Sequence, residues 1–103
     1  MKKEKKLFGK EQLTLQSIVI QKKEMYLTDL DEDKVMMDLD SGNYYALNSV
    51  GASIWEAIEE AISIEAVVQK LMDEYEVEQD VCTSQVINYL QLLYNSDLIM
   101  SMN

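Results

Sequence analysis

The sequence predicts an α+β domain of winged-helix-like type, a three-stranded antiparallel sheet followed by three helices. Three observations carry this. Side-chain alternation with a period of two recurs in short runs up to residue 47. At Asn48 the period changes to about 3.6 and three apolar stripes follow. The length, 103 residues, suits one such domain and leaves little for a second.

Residues 1–16 are polar and aperiodic and read as a flexible Lys-rich tail, so the domain is placed over 17–103. Ser17–Gln21 is short and β-branched, an edge-strand candidate. Met25–Leu30 alternates weakly. Lys34–Asp40 alternates better, with Val35, Met37 and Leu39 on one face and Met36, Asp38 and Asp40 on the other. This places Met36 toward solvent. Asp40-Ser41-Gly42-Asn43 is a turn signal, because Gly and Asn tolerate positive φ. Tyr44–Leu47 is the return strand, with Tyr45 and Leu47 sharing a face.

Asn48 is an N-cap type and opens a helix with the stripe Val50, Ile54, Ile58, Ala61 and Ile62. Gly51 inside that helix costs about 1 kcal/mol relative to Ala, which a close approach by the strand would explain. Ser63 caps a second helix striped by Ile64, Val67, Val68, Leu71, Met72 and Tyr75. A third helix spans about Gln79 to Asn95, and Leu98–Met100 returns as an extended segment. The apolar residues of the third helix cover an arc of about 160°, wider than one core face needs. Either the N-terminal strands and C-terminal tail cover the excess, or a groove stays open for a partner.

Composition excludes several chemistries. There is no His, so a His base or His metal ligand is absent. One cysteine, Cys82, makes neither an internal disulfide nor a Cys-based zinc site. Residues 1–10 carry five Lys and one Glu, whereas residues 11–103 carry four Lys and eighteen acids. An acidic body repels phosphate, so nucleic acid is not an expected partner. No apolar run is long enough to span a membrane, and no signal-peptide core follows the lysines. With one unpaired Cys, this points to a reducing cytoplasm.

Asp29, Asp31, Asp33 and Asp40 have calcium-loop spacing, but Lys34 stands where Gly is needed and Asp40 where a bidentate Glu is needed. A solvated hairpin is the better account. Cys82 lies within the apolar arc without an activating His and reads as a buried thiol. Neither a catalytic residue nor a metal or cofactor is expected. The strand Asn43–Leu47 ends the meander, so one edge is open to strand addition, next to the over-wide face of the third helix. A DNA-binding winged-helix regulator shares this element order but needs a basic recognition helix. Residues 79–97 hold no Lys and two Asp.

The run from Asp40 through Ser41-Gly42-Asn43-Tyr44-Tyr45-Ala46-Leu47-Asn48-Ser49-Val50-Gly51-Ala52-Ser53-Ile54-Trp55 resembles the PqqD-like family of RiPP recognition elements. That family's pattern is an acidic residue, a small residue and Gly, then Tyr-x-Leu-Asn, Gly and Ile-Trp. The match continues through Ser63-Ile64-Glu65, Leu71 and Tyr75-Glu76-Val77, and covers about residues 25–100. The resemblance implies a non-catalytic adaptor that binds the leader of a ribosomally made precursor peptide by strand addition. It presents the leader to a leader protease or other maturation enzyme, as in lasso-peptide clusters. Carried onto this chain, the leader-contacting elements are Asn43, Tyr44, Tyr45, Ala46 and Leu47, with Val86, Tyr89, Leu90 and Leu93 lining the pocket. Two departures stand out. Glu78-Gln79 replaces the usual Asp-Pro before the third helix, and Asp97 replaces the usual Gly before the final Leu.

Overall fold

A computed structural model describes residues 11–22, 25–31 and 33–102. The described elements are β1 (Ile18–Gln21), β2 (Tyr26–Leu30), β3 (Asp33–Asp38), β4 (Asn43–Leu47), α1 (Ser49–Ala57), β5 (Ile62–Ser63), α2 (Ile64–Glu74), α3 (Gln79–Asn95) and β6 (Ile99–Ser101). The class is mixed α and β, and the described residues form three helices as expected, but two three-stranded antiparallel sheets, not one. The meander β2-β3-β4 forms one. The other has the order β5-β1-β6.

β1 is therefore a central strand, which corrects the edge position expected for it. Val19 faces Ile62 on one side and Ser101 on the other. Its partners are strands of two and three residues, too short to carry a periodic signal, and they lie far along the chain. The extended return after α3 is realised as β6.

The face assignment in β3 is also corrected. Met36 is 0% exposed and Asp38 is buried, whereas Leu39 is 73% exposed in the turn. Both faces of β3 carry apolar residues, so alternation alone leaves the choice open. The ladder decides it. Met36 sits opposite Tyr45, so it shares the face that carries Leu47 inward. Asp38 tolerates this side because it ends the strand and its Oδ1 accepts the Asp40 N–H at 3.1 Å. Gly42, at φ +81°, closes the turn with its N–H donating to the Asp38 carbonyl at 2.8 Å.

The helix caps form as their sequences require. Asn48 Oδ1 accepts the Gly51 N–H at 2.8 Å, and Ser63 Oγ accepts the Ala66 N–H at 3.1 Å. Glu78 supplies no side-chain bond to α3. α3 ends in a paired C-cap. The Leu98 N–H donates to the Leu93 carbonyl and the Asp97 N–H to the Tyr94 carbonyl, each at 3.0 Å, with Asp97 at φ +69°.

One core joins all layers. Ile54 of α1 and Ile58 just past its end, Val67 and Val68 of α2, and Leu90 of α3 meet Val19 and Met36 from the two sheets. Residues 11–16, read from the sequence as tail, pack along α3. Leu13 is buried, its N–H donates to Gln91 Oε1 at 2.8 Å, and Gln91 Nε2 returns a bond to the Glu11 carbonyl at 2.9 Å. The lysine-rich residues 1–10 lie outside the described residues. Among the described residues no helix is long and apolar enough to cross a membrane.

Candidate functional site: an uncharged groove beside an open strand edge

β4 pairs with β3 along one edge, and no described strand pairs with the other. Beside it lies a groove of about 480 Å³, within the range of ligand pockets. Ala46 and Leu47 form its strand wall. Val50, Gly51 and Ile54 of α1 form a second wall, and Cys82, Gln85, Val86 and Tyr89 of α3 a third. Leu71, Tyr75 and Val77 close the end where α2 runs out. The lining residues lie between 46 and 89, so neither described terminus fills the groove.

The expected site residues divide. Ala46, Leu47, Val86 and Tyr89 line the groove. Tyr45 is half-buried on the inner face, while Tyr44 is 71% exposed and, opposite Met37, belongs to the outer face of the sheet. Asn43 is exposed where β4 leaves the turn. Leu90 and Leu93 are buried in the core and do not line the groove. The wide arc of α3 thus has two destinations, because Leu90 and Leu93 pack inward away from the groove, whereas Val86 and Tyr89 line it together with Cys82. Helical periodicity marks both pairs as apolar but does not separate core from groove.

The wall from α1 was not expected. Val50 and Ile54 were visible as a stripe, but a stripe reads first as core. Gly51 is the better signal. The close approach that requires it is the Tyr89 side chain, not a strand. A Cβ at Gly51 would lie 3.1 Å from the Tyr89 hydroxyl and 3.4 Å from Asn48 Oδ1.

The groove carries no charge, since none of its lining residues is Asp, Glu or Lys. Burial pushes the Tyr89 phenol up to about 12, so it stays a neutral donor. Burial also raises the Cys82 thiol, whose Sγ sits 3.8 Å from the Val68 carbonyl. A protonated, buried thiol is a poor nucleophile. The aspartates with calcium-loop spacing are spread over a hairpin, with Asp29 and Asp33 on paired strands and Asp29 bonded to Lys34 at 3.0 Å. Among the described residues no three metal-ligating side chains come together. What the arrangement offers is main-chain pairing along β4 and a neutral, mostly apolar pocket beside it.

The family model of coenzyme PQQ synthesis protein D (PqqD) matches residues 33–99, which span β3, β4, the groove and α3. Two solved structures are similar. One is TbiB1 in complex with the TbiA(beta) leader peptide, at 25% identity and a TM-score of 0.68, covering 82% of this chain and 98% of that one. The other is a lasso peptide synthetase B1 complexed with its leader peptide, at 26% identity and a TM-score of 0.67, covering 80% and 96%. No curated protein matches the chain.

Proposed function

The chain belongs to the PqqD family, and from that premise we propose that it binds the leader segment of a ribosomally made precursor peptide. The observation that carries this reading is the open edge of β4 beside an uncharged groove, in a fold shared with two proteins bound to leader peptides. The leader adds as a strand along Asn43–Leu47. Main-chain hydrogen bonds from alternate residues of the run Tyr44, Tyr45 and Ala46 supply affinity, and the groove lined by Val86 and Tyr89 supplies choice of sequence. In this reading the meander is the wing and α3 the recognition helix of a winged-helix-like domain, used for peptide and not for DNA. α3 carries no Lys to meet phosphate.

The protein acts as a non-catalytic adaptor in lasso-peptide maturation and presents the leader to a separate leader protease or modifying enzyme. A protonated, buried Cys82 and the absence of His support that reading over a cysteine enzyme. We place the protein in the cytoplasm, where a lone thiol stays reduced. With a formal net charge of −10, it meets basic or neutral leaders faster than acidic ones, and added salt weakens the encounter.

The test is calorimetric titration with synthetic leaders of the precursor-like reading frames beside the gene. Tyr89→Asp puts a charge in the groove and is expected to abolish binding, with circular dichroism checking that the fold survives. A folded Tyr89→Asp protein that binds as well as the parent moves the site elsewhere.

A further inference from the structure

We infer that the leader residue entering the groove presents an uncharged hydrogen-bond acceptor to the Tyr89 hydroxyl; this rests on the leader-binding reading above. The hydroxyl oxygen is buried and has no hydrogen-bond partner among the described residues. Asn48 Oδ1, which also lies near Gly51, accepts the Gly51 N–H at 2.8 Å and makes no hydrogen bond with the phenol. The other hydroxyl in the groove, on Tyr75, is bonded to Ser53 Oγ at 3.1 Å. Tyr89 is therefore the groove's buried donor without a partner among the described residues.

A buried donor without an acceptor carries a desolvation penalty that a correctly placed acceptor removes. A purely apolar occupant leaves that penalty in place. An occupant with an acceptor removes it, so the difference becomes selectivity. The free protein holds the oxygen against Gly51, and the contact is made when the ring swings toward the groove.

The acceptor is uncharged for two reasons. No lining residue is a cation that could pair with a carboxylate leaving water, and the chain already carries a formal net charge of −10. Burial keeps the phenol protonated up to about 12, so it donates throughout the working range. A carbonyl, a side-chain amide or a hydroxyl fits. An Asp or Glu does not.

The experiment compares the parent with Tyr89→Phe by calorimetric titration of the same synthetic leaders, with thermal melts of both free proteins. The expected result is roughly five- to tenfold weaker binding by Tyr89→Phe, the loss of one net hydrogen bond, with a melting temperature equal to the parent's or higher. Equal affinities overturn this inference and leave leader binding standing. If the parent binds none of the leaders, both readings fall. A clearly lower melting temperature for Tyr89→Phe overturns the inference, because the hydroxyl then has a partner in the free protein. In the leader, the position whose Ala variant binds both proteins equally is the acceptor position. An Asp there that binds more tightly than Asn overturns the requirement for an uncharged group.

Discussion

The Tyr89 hydroxyl lies 3.1 Å from the point that a Cβ on Gly51 would occupy, and the ring carbon that bears it lies 3.4 Å from the same point. The first distance is tighter than a Cβ contact normally is, and the second is ordinary. This separates two effects of Gly51→Ala. Alanine in a helix interior gains about 1 kcal/mol over glycine, and the hydroxyl contact opposes that gain. In the parent the two are expected to cancel or leave a small net loss. In a Tyr89→Phe background the contact relaxes and Gly51→Ala is expected to stabilise by about 1 kcal/mol. Urea unfolding of the four proteins measures the coupling, and the same effect in both backgrounds would remove it.

Tyr89 also makes stability depend on alkaline pH. Its phenol holds its proton up to about 12 in the folded chain, against an ordinary value of 10.0. Below the unfolded value both states keep the proton, and the residue adds no dependence on pH. As pH rises through that window the unfolded chain releases a proton that the folded chain keeps, so stability falls. The loss attributable to this residue is roughly 1–2 kcal/mol by about pH 12. Lysines and the other tyrosines of the chain complicate a single curve, so the measurement is the difference between parent and Tyr89→Phe. Parallel curves for the two would show that the phenol is not held neutral by burial.

The corrected face of β3 gives a paired test. Met36 is 0% exposed opposite Tyr45, whereas Leu39 is 73% exposed in the turn. Met36→Asp places an unpaired charge in the core and is expected to unfold the protein or cost more than about 4 kcal/mol. Leu39→Asp is expected to change stability by no more than about 0.5 kcal/mol. Chemical denaturation of both decides between the two assignments, and the reverse order would restore Leu39 to the core.

The legibility of these features depends on how local their causes are. The caps at Asn48 and Ser63 need only a side chain and a backbone N–H three residues on, so a reading of adjacent residues finds them. α3 was recoverable from seventeen residues of apolar spacing even without a side-chain cap at Glu78. The strand β1 was legible too, but its central place was not, because Val19 finds its partners at Ile62 and Ser101, and strands that short carry no period of their own. The face of Met36 was misread for a related reason. It is chosen by the opposite residue on β4, which alternation within one strand does not report. In the groove, the strand wall at Ala46 and Leu47 follows from element order. The α1 wall depends on Tyr89 reaching across to Gly51, a contact between two helices that only the tertiary structure sets.

Asp97 brings sequence and structure together most directly. The sequence departs from its family there by lacking glycine, and the structure holds that residue at φ +69°, where glycine is free and an L side chain is strained. The next residue imposes that conformation. Leu98 must turn back so that its N–H reaches the Leu93 carbonyl at 3.0 Å and its side chain joins the core beside Ile99. One return for the aspartate is an ion pair with Lys22 Nζ at 2.9 Å, which is largely exposed. Exposed pairs contribute at most about 1 kcal/mol and often nothing, while the left-handed conformation costs an L residue about 1–2 kcal/mol. Asp97→Gly is therefore expected to raise stability by about 0.5–1 kcal/mol and to move the thermal midpoint up by a few degrees. Asp97→Ala loses the ion pair and keeps the strain, so it is expected to destabilise. A parent more stable than Asp97→Gly would mean that the contacts of the aspartate side chain, not the backbone, govern the site.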